Sequence, residues 1–304
     1  MAAVEFDPAA RRNAETLMDL AYAEDLGGIG DLTADAIIPA HGRGAAQFVA
    51  RKEGVIAGIP VLQLAALRFG LPTWFKPLVQ DGDLVGPGDA IASIAGPMRA
   101  MLAMERTALN FLQRLSGIAT LTARFVAEVA DTSAVILDTR KTTPGWRALE
   151  KYAVRCGGGR NHRIGLYDAV LIKDNHLAWL AEQGDPISLA IATARTHAPA
   201  GTTIEIEVDT LEQLDQALAC QPDIILVDNL GPESLAESVR RRNARAPQVL
   251  LEASGGITLA TVRQLARTGV DRISVGALTH SAPALDIGLD FETDPPPVSS
   301  GSKR

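Results

Sequence analysis

Residues 202–229 read TTIEIEVDTLEQLDQALACQPDIILVDN. Two short runs rich in β-branched residues, Ile204–Val208 and Ile224–Val227, flank Leu211–Cys220, whose apolar residues recur at helical spacing. This is a strand–helix–strand unit, and parallel strands need such a crossover. The pattern extends in both directions. Further apolar runs stand at Ala134–Leu137, Ala169–Ile172, Val249–Leu251 and Arg272–Val275, with helical segments at Pro232–Ala244 and Thr258–Thr268. Alternation over this length predicts a parallel α/β sheet, either closed as a barrel or open and doubly wound. Nearly every run ends in polar residues or glycine: Asp138-Thr-Arg-Lys141, Lys173-Asp-Asn175, Glu207 with Asp209, Asp228-Asn229, Ser254-Gly-Gly256 and Gly276. Chemistry at the C-terminal ends of many strands favours the barrel, because an open sheet gathers its site at one switch point.

The region before the barrel reads differently. Asp7-Pro8 opens a helix that ends before Gly27-Gly28-Ile29-Gly30. Residues 44–101 alternate short strands with turns, a helix is expected from Val61 to Phe69, and DGDLVGPGDAIASIAG (81–96) reads as two turns around a strand pair. That stretch is similar to the turns of lipoyl or biotinyl carriers, but no lysine lies between Lys76 and Arg99, so a structural role is preferred. A long helical pattern runs from Met98 to Ala130, with Ser116-Gly117 as a candidate break. The tail TDPPPVSSGSKR (293–304) has the composition of a disordered segment.

The 304 residues carry a net charge of −7, yet residues 137–176 hold eight Lys and Arg against four Asp and Glu, a local +4. Such a reversal points to a pocket for a small polyanion. The acidic remainder argues against a nucleic-acid surface. No apolar run is long enough to span a membrane, no signal pattern opens the chain, and the two cysteines, Cys156 and Cys220, have no metal-ligand spacing. A cytoplasmic protein with reduced thiols is expected.

Within the basic stretch, Thr139-Arg140-Lys141 sits at a strand end, where Arg offers a bidentate fork and Lys a point charge to a carboxylate or phosphate. Cys156-Gly-Gly-Gly-Arg-Asn-His-Arg163 is a second candidate: three glycines permit close backbone approach to a ligand, and cations follow them. Cys156 itself is read as a bystander. Lys173 should emerge at the end of its strand, with Asp174-Asn175-His176 capping the next helix. Glu205 and Glu207 face the same side of one strand. Glu207, nearer the C-terminal end, pairs with Asp228 as two carboxylates suited to Mg²⁺ carrying a polyphosphate. The glycine-bearing loops Ser254-Gly255-Gly256 and Val275-Gly276-Ala277 close the last two strands, where barrels commonly hold a phosphate on backbone N–H groups. No Ser/His/Asp order, zinc spacing or dinucleotide fingerprint is present, so the inventory fits transfer of a sugar phosphate to an acidic co-substrate.

ILDTRKTTPG, LEKYAVRCGGGRNHRIGLYDAVLIKDNH, VDN, EASGGI and SVGALTHS resemble the quinolinate phosphoribosyltransferase family, as do the N-terminal EDLGGIGDLT and the helical ERTALNFLQRLSGIAT. The resemblance covers residues 15–290. It implies an N-terminal α/β sandwich (1–117, joined by 282–292) and an incomplete parallel α/β barrel (118–281). It also implies a homodimer or higher oligomer whose active site is shared across the subunit interface. The implied reaction joins quinolinate and phosphoribosyl pyrophosphate, with Mg²⁺, to give nicotinate mononucleotide, pyrophosphate and CO₂ in NAD biosynthesis. By resemblance, Arg140, His162, Arg163 and Lys173 surround the quinolinate carboxylates, Arg106 comes from the neighbouring subunit, and Lys141 lies between the substrates. Glu207 and Asp228 lie near ribose and metal, and Ser254, Gly255 and Gly276 belong to the phosphate loops. The competing readings are a ModD-like or nicotinate-type paralogue and a non-catalytic phosphosugar-binding barrel.

Overall fold

The computed structural model describes residues 4–71 and 74–292. The tail expected to be disordered, 293–304, lies outside the described residues. Two compact units are present. The first comprises the described residues within 4–120, 144–157 and 282–292, and the second residues 121–143 and 158–281. Among the described residues no helix is long and apolar enough to cross a membrane.

In the first unit α1 (Pro8–Leu26), α2 (Leu32–Ile37), α3 (Ile59–Arg68) and α5 (Arg147–Cys156) accompany an antiparallel sheet. Its strands are β1 (Arg43–Ala50), β3 (Phe75–Pro77), β5 (Ala90–Pro97) and β12 (Ile287–Phe291), in the order β12-β1-β5-β3. α1 starts where Asp7 accepts the N–H groups of Ala9 and Ala10 and Pro8 takes the first turn. The strand pair expected within 81–96 is not a pair: β4 (Leu84–Val85) joins β2 (Gly54–Val55), while β5 joins β1 and β3.

α4 (Met98–Glu128) is one helix, unbroken at Ser116-Gly117. Its hydroxyl and its glycine serve packing. Ser116 Oγ accepts the N–H of Ala57 (3.1 Å), and a Cβ on Gly117 would lie 2.1 Å from the carbonyl oxygen of Pro283. α5 follows a barrel strand in the chain but packs with the first unit. Tyr152 donates its hydroxyl to the half-buried Asp81, which also accepts two N–H groups at the start of α3. Arg114 on α4 grips the fully buried Glu150 at 2.7 Å. Trp146 stacks on Phe111 with ring centroids 4.7 Å apart.

The second unit carries six parallel strands: β6 (Val135–Leu137), β7 (Val170–Ile172), β8 (Ile204–Val208), β9 (Ile224–Asp228), β10 (Leu250–Ser254) and β11 (Arg272–Ser274). Their order is β6-β11-β10-β9-β8-β7, so β6 and β7 are the edges of an incomplete barrel. The helices are α6 (Asp174–Leu180), α7 (Pro186–His197), α8 (Leu211–Cys220), α9 (Pro232–Arg245), α10 (Leu259–Ala266) and α11 (Ala277–His280). Side chains at Ile206, Val208, Ile225, Val227, Leu251, Ala253 and Ile273 are buried, which accounts for the apolar runs that mark these strands.

Candidate active site at the mouth of the barrel

A cavity of about 400 Å³ opens at the C-terminal ends of the strands. Thr139, Arg140 and Lys141 reach it from β6, Lys173 from β7, Glu207 from β8, Asp228 from β9 and Ser254 from β10, with His162 and Arg163 from the loop before β7. Strand register places them. Glu207 and Glu252 both neighbour Leu226, and Ser254 neighbours Asp228.

The cationic side is poised for an anion. The Nε of Arg140 is buried with no hydrogen-bond partner among the described residues. Burial and the neighbouring Arg140 charge hold the Arg163 guanidinium below the usual arginine range. Two guanidiniums kept close in a partly desolvated cavity repel each other until an anion screens them. Arg163 is aimed by a bond from Nη1 to the Ala169 carbonyl (3.0 Å). Lys173 Nζ contacts Glu207 Oε2, tying the two sides of the cavity. The expected cap is recast: Lys173 is itself the N-cap of α6, and its N–H donates to His176 Nδ1 (2.9 Å).

The carboxylate side consists of Glu207 and Asp228, joined by exposed Asp209. One carboxylate oxygen from each lies within 4.8 Å of the others. Three hard oxygen donors from two adjacent strands suit Mg²⁺. On the phosphate side, Gly255 (φ +97°) and Gly256 (φ +57°) curl the backbone after β10 in the manner of an anion-binding nest. Gly276 packs against Lys141, since a Cβ there would lie 3.1 Å from Lys141 Cδ. Ala277 opens α11. Val275 differs: its side chain is buried and its N–H already donates to the Leu137 carbonyl (2.9 Å).

Two of the residues lining the cavity, His162 and Glu252, belong to a cluster that sequence reasoning missed. His162 Nε2 is 3.0 Å from Glu205 and 3.4 Å from Glu252, and Arg272 Nε is 2.8 Å from Glu252. Burial works against a second proton on the imidazole, and so does the Arg163 N–H 2.7 Å from Nδ1. The hydrogen bonds with Glu205 and Glu252 outweigh both and push its pKa up to about 9. Burial raises Glu205, whereas His162 and Arg272 outweigh burial and keep Glu252 low. Asp138, fully buried, moors the following loop: its carboxylate accepts the N–H of His162 (2.9 Å) and the amide of Asn161 (2.5 Å). The available signal was an acidic residue directly after an apolar strand, at Asp138, or inside one, at Glu205 and Glu252.

One expectation shifts. The glycine triplet does not line the cavity: Gly157 ends α5 and Gly158 (φ +84°) turns the chain. Arg106 lies on α4 in the first unit, lining a separate pocket of about 350 Å³ with Leu20, Glu24 and Trp146. Cys156 is buried, and burial pushes its thiol pKa up, so it supplies no thiolate.

Residues 118–290 match the model of the quinolinate phosphoribosyl transferase C-terminal domain, and residues 31–116 match that of its N-terminal domain. The chain is 46% identical over 263 residues to the nicotinate-nucleotide pyrophosphorylase [carboxylating] of Mycobacterium leprae (strain TN), covering 86% of this chain and 91% of that one. It is 42% identical over 274 residues to the probable nicotinate-nucleotide pyrophosphorylase [carboxylating] of Bacillus subtilis (strain 168), covering 90% and 92%. The solved structure of the nicotinate-nucleotide pyrophosphorylase from Francisella tularensis matches with a TM-score of 0.85 at 35% identity, covering 96% of this chain and 100% of that one. Fold and site together define an enzyme of the α/β-barrel phosphoribosyltransferase class. Within that class, the chain belongs to the quinolinate phosphoribosyltransferase family.

Proposed function

We propose that the protein transfers phosphoribose from phosphoribosyl pyrophosphate to quinolinate and decarboxylates the adduct, giving nicotinate mononucleotide, pyrophosphate and CO₂ for NAD biosynthesis. One observation carries the reading. A single cavity joins Arg140, Arg163 and Lys173 to Glu207, Asp228 and Ser254. Its cations match a dicarboxylate, and its carboxylates and glycine loop match a phosphosugar.

Desolvating the quinolinate dianion requires fixed cations, which Arg140 and Arg163 supply, with Lys173 beside them. The pyridine nitrogen then attacks C1 of the ribose, the C1–O bond breaks, and pyrophosphate leaves with the electron pair. Carboxylates at Glu207 and Asp228 favour the oxocarbenium-like centre that develops. Loss of the C2 carboxylate as CO₂ leaves its electron pair on the ring beside the new cationic nitrogen, and a proton adds there. Lys141 acts mainly by holding the reactants together. Glu207, Asp228 and Asp209 would hold Mg²⁺, which supplies charge neutralisation for the departing pyrophosphate when bound.

Arg106 stands outside the barrel-mouth cavity, and we read it as donated to the site of a second copy, so that the enzyme works as a homo-oligomer in the cytoplasm. The test is to incubate purified protein with quinolinate, phosphoribosyl pyrophosphate and Mg²⁺ and to look for nicotinate mononucleotide, with nicotinic acid in a parallel tube. Product from quinolinate alone supports the reading. No product, or product from nicotinic acid alone, overturns it.

A further inference from the structure

Asn229, directly after β9, has φ +55°, in the left-handed region that excludes most side chains and that asparagine tolerates better than most. Apart from glycine, only Gln221 shares this conformation among the described residues, and Gln221 closes helix α8. Asn229 closes no helix. Instead its conformation produces three contacts. Nδ2 donates to Asp228 Oδ2 (2.5 Å). The backbone N–H donates to the carbonyl of Ser254 (3.0 Å). The side-chain Oδ1 fills the space beside Gly255, where a Cβ would stand 2.1 Å from it and 2.8 Å from the Asn229 nitrogen. Gly255 is therefore glycine twice over, for its φ of +97° and for this approach.

We infer that Asn229 is a positioning residue for the phosphoribosyl donor. One side chain sets the Asp228 carboxylate and, through the close contact at Gly255, the start of the glycine loop. The ribose and metal end of the substrate is thereby held at a fixed distance from its phosphate end. The inference deepens the reading of the donor as phosphoribosyl pyrophosphate and rests on it.

The decisive variant is Asn229→Gly, because glycine keeps the positive φ without strain while removing the amide. Two readouts are needed: steady-state kinetics with each substrate, and calorimetric binding of Mg²⁺–phosphoribosyl pyrophosphate without quinolinate. The variant is expected to raise the KM for the donor and weaken its calorimetric binding by about tenfold or more, with the quinolinate KM within about twofold of the parent. Asn229→Asp, which keeps the size and loses the donor group, is expected to show the same selective loss. Unchanged donor binding in Asn229→Gly overturns the inference, and so does an equal loss for both substrates, the mark of a merely structural role. If the parent binds the donor but makes no nicotinate mononucleotide, the proposed function fails while the calorimetry still judges Asn229.

Discussion

The hydroxyl of Thr279 donates to the backbone carbonyl of Lys141 at 2.7 Å. A residue of α11, just past the last strand of the barrel, thus fixes the loop after the first. Gly276 packs on the aliphatic part of the same lysine. The lysine's amino group is placed by contacts made well back along its chain. Thr279→Val keeps the shape and removes the bond. It is expected to lower stability by about 1 kcal/mol in urea titration and to reduce turnover by about tenfold through misplacement of Lys141. Turnover equal to that of the parent would show that the tether is dispensable.

Lys141 lines the cavity and is exposed at its mouth, so removing its amino group leaves no buried charge behind. Lys141→Ala is expected to lower kcat by about a hundredfold or more with an unaltered circular dichroism spectrum and melting temperature. Near-normal kcat would mean that the lysine does not hold the reactants together.

The Arg140 Nε is buried without a partner among the described residues, which fits a guanidinium built to meet a carboxylate with its planar fork. Arg140→Lys keeps the charge but not the fork. The quinolinate KM is expected to rise by about tenfold or more, with the donor KM little changed. A lysine variant with parental quinolinate KM would reduce Arg140 to a simple positive charge.

Glu252 is fully buried between His162 and Arg272. Glu252→Ala takes the carboxylate from Arg272 and one of two carboxylates from His162, and a loss of about 3–5 kcal/mol of stability is expected by chemical denaturation. The cluster also gives a pH signature. The folded His162 pKa of about 9 stands above the unfolded value. Its contribution to stability is therefore fully present below about pH 6.5 and disappears as pH rises through about 9. Melting temperatures of the parent should fall across that window more steeply than those of His162→Gln. Parallel curves would place the transition on another group.

The barrel strands were legible because parallel strands covered on both faces read as unbroken β-branched runs, as at Ile224–Val227. A helix start was legible where a capping residue announced it, as Asp7-Pro8 does for α1. The candidate site was legible for one reason: Arg140, Lys173, Glu207, Asp228 and Ser254 each follow or end such a run. Tertiary partners could not be read. The sequence around Gly117 carries no trace of the Pro283 carbonyl that makes glycine necessary there, so a helix break was the natural reading. Likewise α5 follows β6 in chain order, and partners distant in sequence, Asp81, Arg114 and Asp7 among them, draw it into the first unit. Alternation showed that Glu205 faces the same way as Glu207, but not that it meets His162 and Glu252.

β12 pairs with β1 from Ala46–Phe291 to Ala50–Ile287. A sheet whose first strand begins at Arg43 is therefore finished only by a strand that leaves the ribosome after the whole barrel. Until then β1 has one edge unpaired, and the carbonyl of Gln113 lacks the Leu285 N–H it accepts in the finished fold. The first unit to be synthesised is thus the last to be completed, and a truncation at residue 281 would leave the barrel strands intact while opening an edge for mispairing in the sheet at the other end of the chain.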